Sequence, residues 1–301
     1  MTDPSPPTID ATAAHRWAAL EVPSSAQGSP WLHEEVARRM EQRLQWIVKR
    51  PRSWLHWQAL RGGQEAHTLL RARYPSAHCF APQEPGKALG QARAALQEPW
   101  WSAARWKNPT RWEMPSEPVE MLWANMVLHT SPQPQALMQK WHQLLDTDGF
   151  LMFSCLGPDT LREVRDLYAR QSWPAPAHEF TDMHDWGDML VEAGFAEPVM
   201  DMERMTLTFS SPAALLEELR GLGRNLHPQR FPGLRARGWR AQLEHILANA
   251  LADPGQAGRL PLCFEIIYGH AFKPAPRIPV AGRTSIPLDQ MRTALRAGRS
   301  G

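Results

Sequence analysis

Residues 121–165 read MLWANMVLHTSPQPQALMQKWHQLLDTDGFLMFSCLGPDTLREVR. Met121 to Ala124 form a short apolar run that opens, at Asn125, into a loop reaching Pro134. Leu137, Trp141, Leu144 and Leu145 then recur with the spacing of a one-faced helix over 136–145. Asp148-Gly149 stops that helix, and residues 150–153 (FLMF) form a continuous apolar run of the kind buried on both faces of a sheet. Gly157-Pro158-Asp159-Thr160 ends this strand, with Asp159 or Thr160 expected to cap the next helix. Strands alternating with helices of this length predict an α/β fold with a doubly wound, mostly parallel sheet. Such sheets bind ligands beyond the carboxyl ends of their strands. Here those ends are Ala124-Asn125 and residues 154–158.

Working outward, residues 1–30 read as a loose arm with a short helix over 11–20. A clear helix opens at Pro30-Trp31, with Leu32, Val36, Met40 and Leu44 on one face. Residues 53–57 (SWLHW) read as a first strand, and Gly62-Gly63 turns the chain into a helix ending near Arg73. A second strand falls at 77–81 and a helix at 86–97. Residues 99–118 carry four Trp and four Pro, which suits neither a helix nor a central strand, and are read as a surface-packed loop. Further helices are expected at 159–170 and 183–193, and strands at 199–209 and 262–272. An inserted helical lobe spans about 211–251. Residues 274–301, with five arginines and one acid, are expected to form a disordered basic tail.

With 301 residues, 43% hydrophobic and 21% charged, the chain has ordinary globular composition. A net charge of +2 gives no sign of a nucleic-acid partner. No apolar run approaches the ~18 residues of a membrane span. The three cysteines (Cys79, Cys155, Cys263) lack metal-ligand spacing and cannot form a disulfide framework, so a cytoplasmic setting is expected and no metal site is assigned. No Gly-x-Ser-x-Gly elbow is present, and Cys155 reads as a small core hydrophobe. Gly62-Gly63 stands where such folds cradle a nucleotide-like cofactor, and an ordinary strand-to-helix turn is the favoured explanation of it. Asn125 and His129 lie where a substrate would bind; loop capping is the alternative. Arg220, Arg224, His227 and Arg230 offer a carboxylate or phosphate site, or a solvated lobe surface.

The segments WLHEEVARRMEQRL, LLRARYPSA, LWANMVLHTSPQPQALMQKWHQLL, FLMFSCLGPDTLREVR, FTDMHDWGDMLVEAGFAEPVMDMERMTLTF, LRGLGRNLH and LPLCFEIIYGHAF carry a resemblance. Over about 31–273 the chain resembles the malonyl-acyl-carrier-protein O-methyltransferases of biotin synthesis, class I S-adenosylmethionine-dependent enzymes. The resemblance implies a seven-stranded sheet, parallel except for one reversed hairpin strand. It also implies a helical lobe over the site, S-adenosylmethionine as cofactor and an acyl-carrier protein as partner. It places Arg220 near the substrate carboxylate.

The departures fall on the cofactor side. Where the family reads V-L-D-L-G-C-G-T-G, this chain has residues 54–62, WLHWQALRG. His56 replaces the acid, Gln58 and Leu60 replace two glycines, and Gly62 remains. The acid expected after the second strand falls at Gln83, with Glu84 beside it. The family's third strand is shortened away around 111–116, and its N-terminal tyrosine has no match in 19–27. Each lost contact is worth about 1–3 kcal/mol, which predicts lost or much weakened cofactor binding. Two alternatives stand beside that reading. One is an active carboxyl methyltransferase in which Asn125, His129 and Arg220 position the acceptor. The other is a partner-binding assembly factor whose interface is the loop 99–118.

Overall fold

The structure is a computed structural model that describes residues 9–20, 29–83, 87–96, 106–276 and Asp289. Helices α1 (Ala11–Ala19) and α2 (Trp31–Arg43) precede strand β1 (Ser53–His56). Then follow α3 (Gln64–Arg73), β2 (His78–Phe80), α4 (Lys87–Leu96) and β3 (Val119–Ala124). Helix α5 (Pro134–Leu144) leads into β4 (Leu145–Leu156), and α6 (Arg162–Arg170) and α7 (Met183–Glu192) into β5 (Ala196–Phe209). Helices α8 (Pro212–Leu222) and α9 (Arg237–Leu251) lie between β5 and the last strand, β6 (Leu260–Phe272).

The six strands form one sheet in the order β2-β1-β3-β4-β6-β5. The first four pair in parallel, and β6 runs antiparallel to both of its neighbours. Every residue of β3 is buried, because both faces of the sheet are covered. Side chains alternate between those faces. Trp54, Met121, Trp123, Phe150 and Met152 face a core completed by α2, α3, α6, α8 and α9. Leu55, Leu122, Leu151 and Phe153 face a second core, closed by Met138 and Trp141 of α5 and Trp186 and Leu190 of α7.

Two expectations are corrected. The sheet described has six strands, and the seventh is reduced to a bridge between Phe80 and Arg111. Arg111 N–H donates to Cys79 O at 2.9 Å, and Ala81 N–H to Arg111 O at 2.8 Å. Pro109, Pro115 and Pro118 flank this contact, and a prolyl nitrogen cannot extend the ladder. Neither Asp159 nor Thr160 caps α6. The position before the helix is Leu161, in a left-handed conformation with φ 56° and without a capping side chain. The Thr160 hydroxyl instead donates to Glu265 O and accepts from Glu265 N–H, both at 3.1 Å. Asp159 pairs with Arg204.

Among the described residues no helix is long and apolar enough to cross a membrane, and no group of three or more His, Cys, Asp or Glu is placed to share a metal ion. Residues 99–105 and most of the tail lie outside the described residues. In the remainder of the Trp-rich segment, Trp106 is exposed and Trp112 packs against the small core of Leu60, Ala92 and Leu96.

Candidate functional site

The parallel strands all end on one edge, where the loops after β1, β2 and β3 converge. The β1 loop closes as a turn. Gln58, at φ 52°, accepts at its carbonyl from Arg61 N–H (2.9 Å) and Gly62 N–H (3.0 Å). A Cβ at Gly62 would lie 2.8 Å from Asn125 O, so only glycine lets the β1 and β3 loops touch. Asn125 is completely buried and works as a clamp. Its amide donates to Gly62 O and, at 2.9 Å, to His33 O. Its carbonyl oxygen accepts from the Ser154 hydroxyl at 2.6 Å. One side chain thereby fastens α2 and the ends of β1 and β4 to β3.

The positions expected to meet a cofactor are spread over different environments. His56 lies in the core, its Nδ1 3.3 Å from Nδ1 of His67 and the two rings stacked at 5.6 Å. Burial holds His56 well below the usual histidine range and pushes His67 down to about 3, so both are neutral at pH 7. Leu60 packs with Ala59, Ala81 and Ala92. Gln58 and Gln83 border a cavity of about 580 Å³, along with Trp57, Arg61, Glu113 and Lys140. Glu84 lies outside the described residues.

His129 is buried beside His178, with parallel rings 6.5 Å apart, and Phe180 lies edge-on to both. Its Nδ1 accepts from Leu156 N–H at 3.4 Å, and its carbonyl accepts from His178 Nε2 at 2.8 Å. Burial lowers both histidines. His129 borders a cavity of about 450 Å³ with Ser131, Glu179 and Trp186. Arg220 is elsewhere. It is exposed on α8 and borders a separate cavity of about 460 Å³ with Glu217, Trp239 and Arg240. The described cavities therefore do not bring Arg220 together with Asn125 and His129.

A group that sequence reasoning did not single out stands between these places. Helix α1 covers the β1 loop, and Trp17 lies 4.3 Å from the Arg61 guanidinium and 5.1 Å from that of Arg224. Arg61 Nη2 donates to Trp17 O at 3.1 Å and to Leu20 O at 2.5 Å, holding the carboxyl end of α1 where a cation is favoured. At the other end, Asp10 caps the helix through Ala13 N–H (3.1 Å) and pairs with Arg230 at 2.6 Å. Trp17, Arg61, His33 and Gln58 border a cavity of about 190 Å³. The available signal was Arg61 itself, a cation set inside the glycine motif.

No protein-family model matches the chain. Among curated proteins it is 34% identical, over 275 residues, to a malonyl-[acyl-carrier protein] O-methyltransferase of Gallionella capsiferriformans (strain ES-2). That match covers 88% of this chain and 92% of the relative. A protein of the same name from Laribacter hongkongensis (strain HLHK9) is 36% identical over 82% of this chain and 84% of its own length. Among solved structures, a protein of Bacillus halodurans C-125, described provisionally as a methyltransferase, superposes with a TM-score of 0.53 at 15% identity. It covers 80% of this chain and 100% of its own, a likeness of fold.

Proposed function

Since the chain belongs to the malonyl-[acyl-carrier protein] O-methyltransferase family, we propose that it is a divergent member in which the S-adenosylmethionine site has been lost or much weakened. One observation carries this reading. The β1 loop holds Gln58, Leu60 and a core-buried His56 where the family's pattern has two glycines and an acid. Glycines there let the backbone approach the ligand, whereas Gln58 and Leu60 set side chains on the border of the cavity at the strand end, Leu60 also packing with Ala59, Ala81 and Ala92. His56 is engaged with His67 inside the core and offers nothing to a ligand at the strand end. After β2, Gln83 stands where an acid would hold the ribose hydroxyls. The residues described do not fit the family's way of holding this cofactor.

The chain's partner would be an acyl-carrier protein, the substrate in the relatives' names. The alternative is an active carboxyl methyltransferase on malonyl-carrier protein. It is favoured by identity that runs through nearly the whole length of the relatives. In that case catalysis would consist chiefly of positioning the carboxylate. His129, beside its cavity, would be the residue closest to that task, with Asn125 holding the loops. The test is transfer of labelled methyl from S-adenosylmethionine to malonyl-carrier protein, beside an active family member. The expected result is no ester above background. Ester formation at the relative's rate would overturn the proposal.

A further inference from the structure

Between α2 and β1 the chain turns through a short 3-10 segment, Leu44–Trp46, and runs on through Ile47, Val48, Lys49 and Arg50 to the strand at Ser53. Leu44 is buried, and Ile47, in extended backbone at φ −93° and ψ 112°, packs against the main core. The neighbours of an inward residue in extended chain point away from it. Trp46 and Val48 are accordingly turned outward, 78% and 97% exposed. A single exposed apolar side chain is ordinary. Here a tryptophan and a valine stand two positions apart at the tip of one loop, and the described residues cover neither.

The same loop supplies cations. Lys49 and Arg50 have no ion-pair partner among the described residues, Lys49 Nζ donating instead to the backbone oxygen of Asp148 at 2.9 Å. Arg52 follows and pairs with Glu120. The other acids on this edge are Glu117, before β3, and Asp146 and Asp148 of β4. Asp148 N–H donates to Lys273 O at 2.8 Å, so the chain leaves β6 beside the loop. The sequence beyond Lys273 carries five arginines and one acid, Asp289. Counted with that sequence, cations outnumber acids around the exposed tip.

We propose that the loop tip of Trp46 and Val48, with Lys49 and Arg50, is a membrane-adsorbing site whose partner is the surface of a bilayer containing anionic phospholipid. Trp46 and Val48 enter the headgroup layer, where an indole ring is favoured, and the cations meet the lipid phosphates. The patch suits a lipid surface better than a protein. Two side chains are too few for the broad core of a stable protein interface, yet enough to seat in a fluid headgroup layer. The loop lies at the amino ends of the parallel strands, whereas Asn125 and the converging loops lie at their carboxyl ends. Adsorption through this edge therefore leaves the candidate site facing water.

The experiment is flotation of the full chain with phosphatidylcholine vesicles, with and without phosphatidylglycerol, at low and high salt. One variant combines Trp46→Ser with Val48→Ser, and a second combines Lys49→Gln with Arg50→Gln. Because Trp46 and Val48 are exposed, the first variant should melt at the parent's temperature. Leu234→Ser, which removes a fully exposed leucine from the loop between α8 and α9, is the control. Flotation with the anionic vesicles alone supports the site when the Trp46 and Val48 changes weaken it roughly tenfold or more, and the Lys49 and Arg50 changes and high salt weaken it too. Absence of flotation, equal flotation with neutral vesicles, or an equal loss in Leu234→Ser overturns it. Flotation that both double variants leave unchanged also overturns it and assigns the binding to the arginines beyond Lys273. A parent chain that self-associates without floating, and loses that association with Trp46 and Val48, overturns it in favour of contact between two copies.

Discussion

At the scale of single residues, burial decides what each polar group does. Asn125 was legible as a polar residue at a strand end. Its use as a three-way clamp was not, because its partners His33, Gly62 and Ser154 come from three distant segments. His56 was legible as a departure from the family's pattern. What the sequence could not give is that β1 turns it inward against His67 and so removes it from any ligand. The buried histidines carry a pH dependence with a definite sign. His67, pushed down to about 3, faces His56 of β1, Cys79 of β2, Thr110 and Arg71 of its own helix. An unfolded histidine takes a proton near pH 6.5, and the folded one does not until far lower. The unfolded state therefore binds more protons as pH falls, so this contribution to stability is complete above 6.5 and drains away towards 3. Each unit below 6.5 removes up to about 1.4 kcal/mol for one such residue. Denaturant unfolding at pH 7, 6 and 5 should show that loss, with a shallower slope in His67→Phe. Identical slopes in the two proteins would contradict the assignment.

At the scale of elements, the alternation of β3, α5 and β4 was readable from its apolar period, but the turn was misplaced: α5 ends at Leu144, and Asp148-Gly149, read as the helix stop, lies inside β4, with Asp148 at φ 61°. The α6 cap was misread for a local reason. Asp159 and Thr160 have the right chemistry for an N-cap, but β6 lies close enough to take Thr160, and Arg204 of β5 takes Asp159. The reversed strand β6 depends on a small residue opposite β4. Gly269 pairs with Phe153, and a Cβ there would collide with the Phe153 ring and come within 3.0 Å of Met200 Sδ. Gly269→Ala should therefore destabilise the fold by about 1–3 kcal/mol, read from the denaturation midpoint. An unchanged midpoint would mean that the β4–β6 contact is looser than described.

At the scale of the whole molecule, the order of elements and the long matched segments pointed to the family. The relatives' identity over most of both chains agrees with that reading. The missing edge strand was also legible, as a stretch of prolines and tryptophans too irregular for a ladder. The docking of α1 was not. It depends on Arg61 reaching carbonyls some forty residues away, a contact without any periodic signal. On the proposed reading, the edge at β3 and β4 with its Asn125 clamp faces the substrate, and the β1 loop, with Gln58 and Leu60 ahead of Gly62, faces the cofactor side. Calorimetric titration of the purified chain with S-adenosylmethionine tests that division most directly. The account predicts no measurable heat up to about millimolar ligand, and affinity regained when Gln58 and Leu60 are restored to glycine and His56 to aspartate. Micromolar binding by the unaltered chain would contradict it.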